Sequence, residues 1–192
     1  MTETIGLGYL IGLTGVVAFG AIVPIVPTGA AVSVAAAFSD WNPLLLLVVI
    51  GFGAAGAYLG DIGMYGLLRL AGRPLAERVG WLQEGTASVT LGRLRTRVEE
   101  HELPVLLSSR LIPGGRVPVL LAAALGGYSW RRYVIADIGA AVLWSAVYAA
   151  IGLLGRSVFP EPWQAAIAAV AIVVIVTLAG SAWNRRRAQR ET

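Results

Sequence analysis

Long uncharged stretches alternate with short polar ones along this chain, and the first uncharged stretch covers residues 4–39. Proline removes a helical hydrogen bond and clashes with the preceding turn, so Pro24 and Pro27 argue against one straight helix here. The pattern instead predicts a helix over about residues 5–20, followed by a broken, re-entrant segment over about 21–40.

The second apolar run covers residues 43–68, begins after a polar turn and contains one carboxylate, Asp61. Its many Gly and Ala residues would allow close helix packing. Residues 69–102 then carry six Arg and five Glu, with apolar residues at helical spacing. This pattern predicts an amphipathic helix on the membrane surface over about residues 73–102.

A third apolar run, residues 103–127, holds more charges and helix breakers than an ordinary membrane span tolerates. The interrupting residues are Arg110, Pro113, Gly114, Gly115, Arg116 and Pro118. We therefore expect a second re-entrant hairpin, then spans over about 133–155 and 163–183, and a basic tail over 185–192.

The predicted fold is an all-α integral membrane protein with about four transmembrane helices. Two opposed re-entrant hairpins, arranged as an inverted repeat, and a cytoplasmic amphipathic helix complete it. Each hairpin precedes a helix with one buried carboxylate, Asp61 or Asp137, which is what suggests the repeat. Residues 1–184 form one transmembrane domain in this prediction.

Composition agrees with a membrane environment. The chain is 57% hydrophobic and 14% charged, with a mean hydropathy of +0.74, whereas soluble domains carry about 25% charged residues. No cysteine and a single histidine are present, which excludes thiol nucleophiles, zinc fingers and chemistry that needs two histidines. We expect no cofactor, no metal and no nucleic-acid partner.

The net charge of +4 comes with 15 basic residues, all Arg. Counting them by segment predicts twelve on the cytoplasmic side, one, Arg156, outside, and two in the second hairpin. Both termini are then cytoplasmic. The basic tail would anchor this topology and touch anionic lipid.

Arg110 and Arg116 are the sharpest chemical feature of the sequence. A charge at bilayer depth costs at least ~2.5–3.5 kcal/mol, so each needs a partner or a water-filled cavity. Arg also presents a rigid fork of donors suited to phosphate. The break at residues 113–115 bares backbone amides, and Pro118 suits the start of a helix whose N-terminus favours an anion. A phosphate cradle is one interpretation, and simple pairing of each Arg with a buried Asp is a compatible alternative.

Two interpretations of Asp61 stay open, an ion pair with a hairpin Arg and a proton-titrating group. Asp137, near Arg131 and Arg132, is expected to be a structural partner close to the interface. The residue sets that lipid phosphatases, metal-dependent phosphotransferases and intramembrane serine proteases need are missing, so we expect no enzyme activity.

Longer motifs resemble the DedA family, also called SNARE-associated or VTT-domain proteins. The resemblance covers roughly residues 20–156 and is carried by the sequence from Ser109 to Pro118 and by Gly126-Gly127-Tyr128-Ser129-Trp130-Arg131-Arg132-Tyr133 with Trp144. The first half agrees through Pro24-x-x-Pro27-x-Gly29, Gly60-Asp61-x-x-x-Tyr65 and Gly72-Arg73-Pro74.

The resemblance implies a multi-pass protein of the bacterial inner membrane that transports lipid. Bacterial members are linked to recycling of undecaprenyl phosphate and to the proton motive force. The essential arginines of the family correspond to Arg110 and Arg116, and its membrane aspartate to Asp61. This chain departs from the family in having Thr28-Gly29 where many members carry an acid, and Asp137 where Asn is usual.

The sequence therefore predicts a flippase or scramblase for a phosphate-bearing lipid such as undecaprenyl phosphate, with proton coupling left open. The alternative is a non-transporting membrane scaffold that recruits partners or anionic lipid through its basic surfaces. Expected partners are membrane lipids, through a phosphate-bearing headgroup and the anionic leaflet, while protons as a partner and homo-oligomer formation are left open.

Overall fold

The computed structural model describes residues 6–23, 27–39, 41–78, 100–111 and 115–159, together with single positions between 93 and 98 and between 164 and 175. Within these residues the chain is helical, and no strand is assigned.

Six helices account for most of the described chain. They are α1 (Leu7–Ile22), α2 (Thr28–Ala37), α3 (Pro43–Arg78), α4 (Glu102–Leu111), α5 (Arg116–Leu125) and α6 (Trp130–Val158). The part of α3 up to Leu70, 28 residues, and α6, 29 residues, are each apolar and long enough to cross a bilayer, for which about 20 residues are needed. The predicted span 163–183 and most of the predicted surface helix lie outside the described residues.

The predicted elements appear with shifted bounds. α1 ends at Ile22 rather than near residue 20, and the first break is followed by a ten-residue helix that begins at Thr28. α3 continues to Arg78, past the end of the apolar run at residue 68 and into the range expected for the surface helix. Backbone hydrogen bonds form whatever the polarity of the side chains, so hydropathy marked the end of the apolar segment and not the end of the helix.

The helices fall into two groups of three that pack in the same way. In each group the first helix packs on the third, α1 on α3 and α4 on α6. The middle helices cross over, since α2 packs on α6 and α5 packs on α3. The two long helices also contact each other. Each group thus consists of two helices separated by a break, which we call a helix–break–helix pair, followed by a long helix. The pair α1 and α2 corresponds to the pair α4 and α5.

The distribution of side chains differs from that in a soluble protein at two points, the exposed surface and the buried charges. Large apolar residues such as Leu44, Leu70 and Ile135 are among the most exposed, whereas Asp61 and Asp137 are buried at 2% and 1% exposure. Soluble proteins rarely bury carboxylates and rarely show broad apolar surfaces. The surface is therefore suited to contact with lipid.

Small residues bring α1 and α3 into close contact. Gly56 and Gly60 lie four residues apart on the face of α3 that packs on α1, where an added Cβ of Gly56 would lie 2.6 Å from the Thr14 carbonyl oxygen and 2.9 Å from Cβ of Val17. The hydroxyl of Thr14 lies 3.0 Å from the carbonyl oxygen of Phe52. Such small-residue faces, supported by hydroxyl hydrogen bonds, drive helix association where no hydrophobic effect operates.

Hydroxyl groups also join α6 to the first group of helices. Ser145 Oγ donates to the carbonyl of Ile50 at 2.9 Å, and Ser33 Oγ donates to the carbonyl of Tyr148 at 2.7 Å. Both serines are fully buried. These bonds hold α2, α3 and α6 in a defined register.

The close contact between α1 and α3 predicts that Gly56→Leu destabilises the protein by about 1–3 kcal/mol, because the new side chain meets the backbone of α1. Gly51→Leu, in the same helix, is the matched control because its Cβ would have open space. Thermal unfolding in detergent measures the difference. Equal melting temperatures of the two variants would contradict this packing.

Candidate functional site

Four ionisable side chains meet at the junction of both groups of helices. Arg110 lies in the last turn of α4, and Arg116 is the first residue of α5. Asp61 reaches them from α3 and Asp137 from α6. We call these four residues the charge cluster.

The cluster is a continuous network of ion pairs. Asp61 accepts from both arginines, through Oδ2 from Arg110 Nη2 and through Oδ1 from Arg116 Nη2. The same Nη2 of Arg110 also donates to Oδ1 of Asp137 at 2.7 Å. Arg110 therefore links the two long helices through their carboxylates.

Formal charges within the cluster cancel, two cations against two anions. Three members are nearly inaccessible, with side-chain exposure of 5% for Arg110, 2% for Asp61 and 1% for Asp137, while Arg116 keeps 21%. Isolated buried ions cost several kcal/mol each, and removing one partner leaves an uncompensated charge. Mutual neutralisation is what allows four charges within an apolar bundle.

Only some of the N–H groups of the Arg116 guanidinium form hydrogen bonds with the described residues. Its Nη2 donates to Asp61, while its Nε is buried and has no hydrogen-bond partner among the described residues. Nε and Nη2 form one edge of the planar fork, which matches two oxygens of a carboxylate or phosphate. Arg116 also begins a helix, where the macrodipole adds positive potential. An anion is favoured at this point for both reasons.

A layer of aromatic residues lies one helical turn from the carboxylates. Tyr65, four residues after Asp61, stacks on Tyr133 at 4.2 Å between ring centroids. Tyr133 is four residues before Asp137, so the stack joins α3 and α6 beside the cluster. The hydroxyl of Tyr65 donates to the carbonyl of Tyr128 at 2.6 Å, and Arg69 Nη1 donates to the same oxygen at 3.2 Å.

The remaining residues predicted for the second hairpin lie around its break. Gly115 is the N-cap of α5, Pro118 is its third residue, and Tyr128 is buried between α5 and α6. The preceding Pro113 and Gly114 lie outside the described residues.

The first hairpin packs against both long helices, with Ala21 beside Gly60, the neighbour of Asp61, and Gly29 beside Tyr148 of α6. Pro27 caps α2, Thr28 begins it, and Gly29 is buried where an added Cβ would overlap the ring of Tyr148. Tyr148 is eleven residues beyond Asp137 on α6, about 16 Å along the helix axis. Pro24 lies outside the described residues.

Asp137 pairs with an arginine of another helix. Arg131 and Arg132 are exposed, and Asp137 pairs with Arg110 instead. Helical neighbours are three or four residues apart, so residues five and six positions earlier lie on other faces.

Sequence reasoning did not assign a role to Tyr65 or Tyr133. Both are fully buried beside the cluster. Their spacing of four residues from Asp61 and Asp137 was the available signal, since that spacing places two side chains on one helix face. Among the described residues no group of three His, Asp or Glu side chains is arranged to hold a metal.

Comparison with known proteins identifies the family. The family model of the VTT domain, the domain of the DedA and SNARE-associated proteins, matches residues 10–154. This match covers well over half of the chain, which therefore belongs to the VTT-domain family. No curated protein and no solved structure gives a significant match.

The ion pairs of Asp61 predict that Asp61→Asn destabilises the protein by about 3–5 kcal/mol, because two buried arginines then share one carboxylate. Adding Arg116→Gln removes the excess positive charge and should recover part of the loss. A double-mutant cycle of unfolding free energies in detergent measures this coupling. Strictly additive effects would show that the pair is not coupled in the folded protein.

Proposed function

We propose that this membrane protein of the VTT-domain family is a transporter for phosphate-bearing lipids such as undecaprenyl phosphate in the bacterial plasma membrane. The observation that carries the proposal is that Arg116 binds the protein through Nη2 and has no hydrogen-bond partner among the described residues for Nε. This arginine lies next to Arg110, at the break between two short helices. Family membership supports the coarser part, a membrane protein of the DedA type.

A phosphate monoester fits the edge of the Arg116 guanidinium that is formed by Nε and Nη2. One oxygen would accept from the Nε–H of Arg116, and another would replace Oδ1 of Asp61 on Nη2. Charge-assisted bonds of this kind are about twice as strong as neutral ones. The partial exposure of Arg116 makes it the member of the cluster that a headgroup would reach first.

Asp61 serves in this proposal as an internal anion that holds the arginines ready in the absence of substrate. An entering phosphate exchanges with this carboxylate, so the arginines never lie unpaired in an apolar environment. Exchange of one anion for another avoids most of the cost of opening a buried ion pair. The same property allows the headgroup to leave, because Asp61 can return.

The repeated packing of the helices supports movement of the headgroup between two sides. α2 and α5 each pack on the long helix of the other group, an arrangement typical of transporters with inverted repeats. We infer that the two helix–break–helix pairs enter from opposite faces of the membrane and open in turn. Both chain termini would then lie in the cytoplasm.

We propose transport without chemical change of the lipid. A hydrolase would need a nucleophile and a base or metal aimed at phosphorus. The described residues next to the arginines offer two carboxylates already engaged in ion pairs and buried tyrosines.

The proposal predicts that Arg110→Lys and Arg116→Lys each slow transport at least about tenfold, because losing a charged hydrogen bond costs about 1.5–3 kcal/mol and Lys lacks the planar fork. Liposomes containing undecaprenyl phosphate receive a phosphatase that cannot cross the bilayer. Phosphate released after the outer leaflet is exhausted measures transport. Arg131→Lys, at an exposed position, is the matched control and should transport like the wild type.

Wild-type rates in both cluster variants, with normal insertion, would contradict a transport role for the arginines. The scaffold alternative predicts a different result. In that case substitution of the tail arginines, Arg185, Arg186, Arg187 and Arg190, by Ala would impair cellular function more than either cluster variant.

A further inference from the structure

One buried carboxylate oxygen of the charge cluster is left without a donor. Asp137 is 1% exposed, and its Oδ1 accepts from Arg110 at 2.7 Å. Its Oδ2 is buried and has no hydrogen-bond partner among the described residues. An ionised oxygen in this position loses the solvation of water and gains no arginine in return.

The two carboxylates of the cluster are therefore not equivalent. Before a phosphate enters, each oxygen of Asp61 is paired with an arginine, so a proton there would have to displace an ion pair. Asp137 can take a proton at Oδ2 while Oδ1 still accepts from Arg110. By geometry, Asp137 is the carboxylate that can change its protonation state without dismantling the network.

Charged and titratable groups surround Asp137 on several elements. Arg110 approaches from α4 and Arg116 from α5, and Asp61 of α3 shares the Nη2 atom of Arg110 with it. Tyr133, one turn earlier on α6, brings its hydroxyl group within reach of the Asp137 carboxyl group as a further donor. The carboxylates of Asp61 and Asp137 lie on either side of one nitrogen of Arg110, so their negative charges repel each other. The positive charge of Arg116 makes the net charge of the four groups zero.

A bound phosphate would upset this balance. The four formal charges cancel, so a phosphate monoester makes the site negative in surroundings that solvate charge poorly. Uptake of one proton removes one negative charge, and the free Oδ2 offers it a place. Coupling of this kind is reciprocal, so protonation in turn favours phosphate binding.

We propose that Asp137 takes up a proton at Oδ2 when a phosphate-bearing headgroup binds to Arg110 and Arg116. The proton comes from the aqueous phase, an O–H bond forms at the lone pair of Oδ2, and the carboxylate becomes neutral without any redox change. This inference rests on the proposed function. It assigns the coupling of headgroup and proton binding to Asp137 rather than to Asp61.

Calorimetry with a short-chain probe tests the proposal. Geranyl phosphate is titrated into the full-length protein in detergent, in phosphate-free buffers with different heats of ionisation. The wild type should take up about one proton per bound ligand beyond that of Asp137→Asn. Asn keeps the shape and an acceptor oxygen for Arg110 but cannot take the proton, so it is a close mimic of the neutral acid.

Infrared difference spectroscopy gives a second readout that a structural role would not change. Geranyl phosphate should produce the carbonyl band of a protonated carboxylic acid in the wild type, and Asp137→Asn should lack it. If the variant does not fold, the absence of this band in the wild type still overturns the proposal, and Asp137→Glu, which keeps a titratable carboxyl group, should shift the frequency of the band.

The outcomes separate the two proposals. Binding of geranyl phosphate with equal proton uptake in wild type and Asp137→Asn, or without a carboxylic acid band, overturns the role of Asp137 and leaves the proposed function intact. If the wild type neither binds the probe nor transports undecaprenyl phosphate, both proposals fail.

Discussion

Neutralisation of buried charge is the constraint on which the rest of this structure depends. Two arginines and two aspartates lie within an apolar bundle, and none could stay ionised there alone. Arg110 satisfies both carboxylates through one nitrogen, so α3, α4 and α6 must hold their positions together. Arg116 brings α5 into the same network. The cluster thus fixes the relation between the two groups of helices.

The packing around the cluster is consistent with this demand for precise register. Gly56 allows α1 to approach α3 closely, and Ser33 and Ser145 form hydrogen bonds between helices. Tyr65 and Tyr133 stack across the two long helices next to the carboxylates. In an apolar environment such contacts replace the hydrophobic effect as the source of helix association, and they prevent the charged groups from separating.

Ion pairs of this kind are better suited to exchange with a charged ligand than to a purely structural role. Buried ion pairs add little net stability compared with apolar packing, and their value lies more often in specificity or switching. Here the cluster holds one guanidinium nitrogen without an acceptor and one carboxylate oxygen without a donor among the described residues. A phosphate and a proton have the chemistry that completes these two positions. Structural and functional interpretations of the arginines are therefore compatible, since the pairs that hold the helices in register are the ones that substrate would replace.

The sequence by itself was sufficient for the membrane environment, the helical class and the central residues. Hydropathy, the breaks at Pro24–Gly29 and Pro113–Gly115, and the cost of Arg110 and Arg116 at membrane depth are local properties that need no partner to be recognised. Only the tertiary structure decided which carboxylate each arginine meets, because pairing depends on which helices cross. It brought Asp137 into the network through Arg110 and placed Gly29 beside Tyr148. It also separated the roles of two aspartates that look alike in sequence, since the number of donors around each oxygen is a property of the packed bundle alone.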